Sequence, residues 1–278
     1  MKSYHNPQPE EGINVTKVHP LRTFVKLFSA ISVVLVVSAW LFGQSGSWLA
    51  SLIPYQHEVS ISKLYTEPEE LDKKHQQIQE YLETLVSRLE KGMALPEGMH
   101  IHVHYEPENV ENAFATLGGH LFIYRGLLDM LPNENSLAML LAHEMAHVKL
   151  RHPIRAAGQN IAIKTGIKYL LGYSNSDLLG SAGLYTQLHF SRSMESAADE
   201  EGLQAVYRSY GTVAGASDLF ETLHEISVQN GMDGESPFFS THPLDKKRIN
   251  DLNQLAMDKD WENGQEAQPF PEKFTDWL

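Results

Sequence analysis

The chain of 278 residues contains no cysteine. That excludes disulfides, thiolate metal sites and a thiol nucleophile, so any metal must be held by His, Glu or Asp, while the redox compartment stays open. Positive charge is also scarce: 22 Lys and Arg stand against 35 Asp and Glu, a formal net charge of −13. The basic residues form no stripe interleaved with aromatics, which argues against a nucleic-acid partner. No internal period of about 20 to 50 residues is present, so solenoid and propeller arrays are excluded. With 42% hydrophobic residues, the length suits one sizeable core of catalytic dimensions.

One long apolar run is present, and only one. From Phe24 to Phe42 the sequence reads FVKLFSAISVVLVVSAWLF, close to the roughly 20 residues a helix needs to cross the hydrocarbon core. Its single charge, Lys26, is near enough to the end to snorkel. Lys2, Lys17 and Arg22 lie upstream, and downstream no Lys or Arg occurs before Lys63. The positive-inside rule therefore puts the N-terminus in the cytosol and the remainder across the membrane. A cleaved signal peptide is the rival, since GQSGS follows the run. The apolar stretch exceeds the usual signal core of about 7 to 15 residues and the polar leader is long, which favours an uncleaved anchor. Trp40, Trp48 and Tyr55 are expected at the far interface.

Beyond the anchor, Thr66 and Glu69 form a capping-box pattern, and Leu71, Ile78, Leu82, Leu85 and Leu89 recur at helical spacing up to Gly92. MHIHVHY at 99–105 alternates as a strand does, and NAFATLGGHLFIY at 112–124 predicts a hairpin turning at Gly118 and Gly119. Helical patterning occupies Ser136 to Arg151 and stops at Pro153. Residues 158–190, richer in Gly and Ser, read as an excursion or lid whose apolar patch IKYLLGY is too short to span a bilayer. Further helices are expected over Glu195–Tyr210, from Asp218 to about Gln229, and after Pro243. Phe270, Phe274 and Trp277 sit in an acidic tail that either docks or hangs free.

The chemistry is concentrated in LLAHEMAHVKLRHP, residues 140–153. Residues four apart share one helical face with Cβ atoms about 5–6 Å apart, so His143 and His147 can offer imidazoles to one ion. Glu144 is about a third of a turn round, able to miss the ion and still reach a water beside it as general base. A His-Glu-x-x-His arises by chance in about one chain in twenty of this composition, so a third ligand is needed. The metzincin pattern fails at Leu150 and Pro153. In SRSMESAADEEG at 191–202, Glu195 and Asp199 are again four apart. Glu195 can complete a His, His, Glu set, and Asp199 can then accept the free N–H of a ligand histidine; the alternative is an acidic solvated helix. Such a set with an open position favours zinc, one ion per chain.

At this point the sequence resembles the gluzincin peptidases that include the type I CAAX prenyl proteases, HtpX-like heat-shock membrane proteases, the mitochondrial inner-membrane stress protease and periplasmic quality-control proteases. Four blocks carry the likeness in the family's order between about residues 99 and 252: NAFATLGGHLFIYRGLL, LLAHEMAHVKLRH, SRSMESAADEEG and STHPLDKKRI. The resemblance implies zinc on His143, His147 and Glu195, with Glu144 catalytic and Asp199 supporting. It also implies His242 and Arg248 near the metal, as oxyanion stabiliser, substrate contact or, for the histidine, a resting cap on the open position. It implies an edge strand around Phe114 or Phe122 on which an extended substrate adds. A single membrane segment departs from relatives that have several, which puts a prenylated or intramembrane substrate in doubt.

His100, His102 and His104 fall on one strand face, better explained as a polar face than as a second metal site. His152 is expected to be structural or to support a ligand, and His120 to lie on a surface hairpin. The expected architecture is α+β: a mainly helical zincin-type metalloprotease domain with a small β-sheet, preceded by one transmembrane helix. The divisions are a cytosolic tail (1–23), an anchor (24–43), a juxtamembrane segment (44–65), the metalloprotease domain (66–257) and an acidic tail (258–278). The expected activity is a membrane-anchored zinc endopeptidase acting on polypeptides. In a Gram-negative envelope it would face the periplasm and take misfolded envelope proteins. The alternative is a gated or inactive zinc-binding, chaperone-like adaptor. Oligomeric state is left open.

Overall fold

A computed structural model of the chain describes residues 19–63, 72–171, 188–229, 237–243, 246–261 and 265–278. The expected capping box at Thr66 and Glu69 lies outside these residues, as does much of the 158–190 excursion.

Helix α1 (Pro20–Ser51) contains the apolar run and continues past it. Among the described residues it is the one helix long and apolar enough to cross a membrane. Helix α2 (Tyr55–Ser62) then turns back onto the body of the protein. Tyr55, expected at a membrane interface, is instead packed there: its hydroxyl donates to the His100 carbonyl at 3.3 Å and its ring faces Arg151.

Helix α3 (Lys73–Met93) is capped by Asp72, whose carboxylate accepts from the Lys74 and His75 amides. Ile78, Leu82, Leu85 and Leu89 form its buried stripe. It ends one residue beyond the expected Gly92, with Ala94 in the left-handed region at φ 51°. Gly92 serves packing instead, since a Cβ there would come 2.6 Å from the Ala205 carbonyl oxygen.

Strands β1 (His102–Glu106), β2 (Ala113–Ala115) and β3 (His120–Tyr124) form a sheet in the order β1-β3-β2. The β2–β3 pair is the expected hairpin, with Gly118 and Gly119 at φ 76° and 86° in its turn. β1 adds parallel to the other side of β3, pairing His102 with His120 and His104 with Phe122. β3 is therefore the central strand. That corrects the expectation that Phe122 marks an edge; only Phe114, on β2, does so. The inward residues Val103, Tyr105, Leu121 and Ile123 join the core, while His102, His104, His120 and Phe122 share the outer face. His120 is not a free hairpin residue: its Nδ1 lies 2.8 Å from His104 Nε2.

After the short α4 (Arg125–Leu128), helix α5 (Glu134–Lys149) begins two residues before the expected Ser136. Asn133 and Ser136 form a reciprocal capping box. Every residue from Glu134 to Val148 is buried, so the helix runs through the middle of the domain. The buried Glu134 carboxylate is met by Arg88 and by the hydroxyls of Tyr81 and Tyr210, tying α5 to its two main neighbours. Pro153 does not simply stop this helix. Arg151 turns the chain at φ 60°, and Pro153 lies in the first turn of α6 (His152–Leu171), where its missing N–H costs nothing. Part of the expected excursion is thus helix, and it packs along α1.

Helix α7 (Arg192–Tyr210), capped by Ser191 and ended by Gly211, crosses α5. It is followed by α8 (Asp218–Gln229), α9 (Pro237–Thr241), α10 (Lys246–Asp258) and α11 (Phe274–Trp277). The aromatic tail docks: Phe274 is buried, and Tyr81 contacts both Phe274 and Trp277.

Candidate metal centre

Helix α5 presents His143, Glu144 and His147 on the side crossed by α7, which brings Glu195 and Asp199. The crossing is close because residue 202 of α7 is glycine: a Cβ there would come 3.1 Å from the His143 amide nitrogen. The sequence contained this signal, since Gly202 ends the SRSMESAADEEG block, but it carried no expected role. His242 arrives from the end of α9, its ring stacked on Phe238.

His143, His147, Glu195 and His242 each offer one donor atom, and these four atoms lie within 4.8 Å of one another. His143 Nε2 is 3.0 Å from His147 Nε2 and 3.4 Å from His242 Nδ1. The Glu195 carboxylate oxygens are 3.5 Å from His143 Nε2, 3.5 Å from His147 Nε2 and 3.2 Å from His242 Nδ1. Four donors on a tetrahedron with bonds of about 2.0–2.1 Å are separated by about 3.3–3.4 Å, and the separations above, between 3.0 and 3.5 Å, are close to that spacing. The donor chemistry agrees: three buried imidazoles and a carboxylate offer nitrogen and oxygen donors of the kind zinc takes.

Polar neighbours meet the two helix histidines of the cluster. His143 Nδ1 is 3.0 Å from Asp199 Oδ1, a contact through which a carboxylate can hold an imidazole in one orientation. Burial disfavours the His143 imidazolium, yet the Asp199 and Glu195 carboxylates outweigh it and push the group up to about 10. His147 Nδ1 lies 2.9 Å from His152 Nδ1. Burial and then Arg155 lower His152 to about 4, so at neutral pH it is a neutral ring able to accept the His147 N–H. His152 thus meets the His147 nitrogen that faces away from the cluster, and Phe190 stacks on His147 at 4.0 Å between centroids. The sequence held no pattern pointing to Phe190 or Phe238.

Arg248, implied by the resemblance as an oxyanion stabiliser or substrate contact, is placed otherwise. Its Nε and Nη2 donate to the two oxygens of Asp199, both at 2.7 Å, and its Nη1 is 2.8 Å from Glu195 Oε2. Burial opposes ionisation of Asp199, but His143 and Arg248 hold the carboxyl below its ordinary range. Glu195 is likewise held well below its ordinary range against burial, first by His242 and then by His143 and His147.

Glu144 is fully buried beside the cluster; among the described residues neither of its carboxylate oxygens has a hydrogen-bond partner, and His242 Nε2 lies 3.5 Å from Oε1. A buried carboxylate without hydrogen bonds is costly, and this one stands next to a four-donor cluster. Phe114 and Phe122 stack on each other at 5.0 Å on the outer sheet face. Phe114 is itself buried, and neither residue contributes to the cluster.

Residues 72–256 match the model of Peptidase family M48. The chain is 33% identical over 181 residues to the mitochondrial metalloendopeptidase OMA1 of Schizosaccharomyces pombe, covering 61% of this chain and 51% of that protein. It is 32% identical over 193 residues to the beta-barrel assembly-enhancing protease of Yersinia pestis, covering 64% of this chain and 38% of the relative. A further OMA1, from Homo sapiens, is 24% identical over 166 residues, or 55% of this chain and 32% of its own. The chain spans about half the length of these relatives or less. With a family match across both metal-bearing helices and a buried His, His, Glu, His cluster of the right dimensions, the chain belongs to peptidase family M48.

Proposed function

We propose that this protein is a membrane-anchored zinc endopeptidase that hydrolyses peptide bonds by activated water, with a site closed at rest by His242. The observation that carries this is Glu144, buried and, among the described residues, without a hydrogen bond, beside four clustered donors. His143, His147 and Glu195 would hold the ion. Zinc bound there supplies Lewis acidity, activating water and polarising the scissile carbonyl. Glu144 takes the water's proton and delivers it to the leaving amine. Asp199 and His152 fix the two histidine rings, and Arg248 acts as a positioning residue by holding the carboxylates of Asp199 and Glu195. Helix α1 is the anchor, and the catalytic domain lies on the extracytoplasmic side, as the positive charges before the apolar run indicate. Misfolded envelope polypeptides are the proposed substrates; relatives named as a mitochondrial metalloendopeptidase and a beta-barrel assembly-enhancing protease support that class. Phe114 marks the edge strand on which such a substrate would add.

Purified full-length protein should carry one zinc per chain and cut an unfolded polypeptide in a chelator-sensitive way, with both zinc and activity lost in Glu195→Ala. Wild type without stoichiometric metal would sink the assignment.

The closed state rests on burial, because the ligands and Glu144 are at most 1% exposed. His242 would act as the resting fourth ligand, so that substrate would enter once this ring moves aside; its Nδ1 lying 3.4 Å from His143 Nε2 and 3.2 Å from Glu195 Oε1 supports that reading. Cobalt-loaded His242→Ala should therefore differ from cobalt-loaded wild type in its resting visible spectrum, as a water replaces the imidazole. Identical spectra would put His242 off the metal and remove the gate.

A further inference from the structure

In a protein of net charge −13, residues 145–176 contain five Lys or Arg and no Asp or Glu. Most of that stretch is α6, and α6 is the helix that packs along α1. The pairing is antiparallel. A Cβ on Gly158 would strike Ala50 and the Gly46 carbonyl, one on Gly46 would strike Ala162, and one on Gly43 would press on Ile163 and Gln159. Further along, a side chain at Gly166 would touch Phe42 at 3.7 Å. The contact uses small residues, which let the two backbones approach as membrane helices do.

This register gives α6 a depth, resting on α1 as the anchor. Phe42 ends the apolar run, so Gly166 lies level with the edge of the hydrocarbon. The five residues beyond it, IKYLL, continue about 7–8 Å further beside the apolar part of α1. Tyr169 is 84% exposed there, three residues beyond Gly166, on the stretch that this register sets beside the part of α1 holding the exposed Val37 and Leu41. Lys164 is exposed half a turn above Gly166, at headgroup height. An aromatic ring at the interface, a lysine at the phosphates and no acid anywhere on the helix fit a lipid surface bearing negative charge.

We propose that α6 is a second membrane-binding element: held antiparallel against α1, its C-terminal end dips into an anionic phospholipid bilayer with Lys164 at the headgroups. The patch that is too short to span need not span, because α1 already carries it to the bilayer. His152, which touches ligand His147, begins the same helix about 21 Å above Gly166. The docked helix would thus fix the metal centre just beyond the headgroup layer, favouring peptide bonds close to a membrane surface.

The absence of cysteine makes single labels unique. Full-length protein labelled at Leu35→Cys, Tyr169→Cys or Met257→Cys would be reconstituted in phosphatidylcholine vesicles with and without phosphatidylglycerol, and quenched by spin-labelled lipid. The expected pattern is deep quenching at 35, shallow quenching at 169 that strengthens with phosphatidylglycerol, and none at 257. Adding Lys164→Glu should weaken the docking equilibrium at 169 by about fivefold or more in anionic vesicles. A label at 169 as wet as that at 257, with 35 still quenched, overturns the docking of α6 and leaves the anchor. An unquenched label at 35 overturns the anchor and this proposal together. Quenching at 169 that ignores phosphatidylglycerol and Lys164→Glu overturns the anionic-lipid assignment.

Discussion

Glu144→Gln is expected to lower hydrolysis of an unfolded polypeptide by about 10²–10⁴-fold, with zinc content and thermal stability unchanged. The amide keeps the volume and shape of a side chain that is fully buried, so the packing of α5 should survive. None of the four clustered donors is altered, so the metal should remain. What disappears is an acceptor for the water's proton. Among the described residues the carboxylate oxygens have no hydrogen-bond partner to lose, and an uncharged amide costs less to bury than a carboxylate, so unfolding would not be the cause of lost turnover. Steady-state cleavage assays beside metal analysis on the same preparations would check this. Equal, chelator-insensitive cleavage by wild type and variant would refute the zinc mechanism. If neither form cuts but both hold zinc and bind unfolded clients, the gated adaptor is the better account.

The metal helix and its partner were legible because their information is local. Two histidines around a glutamate at helical spacing, and a glutamate and an aspartate four apart, define faces that any helix must present together. The fold then had only to cross those faces, and it does so over Gly202. The features that escaped are set by partners distant in sequence. The hairpin of β2 and β3 is local, but the addition of β1 on the far side of β3 is not, and that addition made Phe122 central. Pro153 is ambiguous by itself, since proline both ends one helix and begins another; the left-handed turn at Arg151 decides, and Arg151 is held by Glu58 and the Ile53 carbonyl. Gly92 read as a helix stop because its packing partner, α7, lies more than 100 residues on. Arg248 was placed near the site by resemblance alone, and only the three-dimensional arrangement shows that it faces carboxylates.

Arg248→Met should be among the most damaging substitutions outside the metal ligands. Arg248 is 5% exposed and commits its guanidinium to two buried carboxylates and the Pro243 carbonyl. Removing one partner of a buried ion pair costs about 3–5 kcal/mol, chiefly because the remaining charge stays buried. For a domain of this size that corresponds to a fall in Tm of roughly 6–20 °C. The two carboxylates differ in what else can neutralise them. Bound zinc would compensate Glu195 but not Asp199, so the deficit should be larger in metal-free protein than in loaded protein. Arg248→Met with Asp199→Asn should recover much of the loss, because asparagine still accepts from His143 Nδ1–H while burying no charge. Thermal unfolding of the single and double variants, with and without zinc, tests both steps. A single variant as stable as wild type would mean that water reaches Asp199. A double variant no better than the single would mean that Arg248 acts through packing on Phe220, over whose ring its guanidinium carbon lies at 5.6 Å, and not through charge.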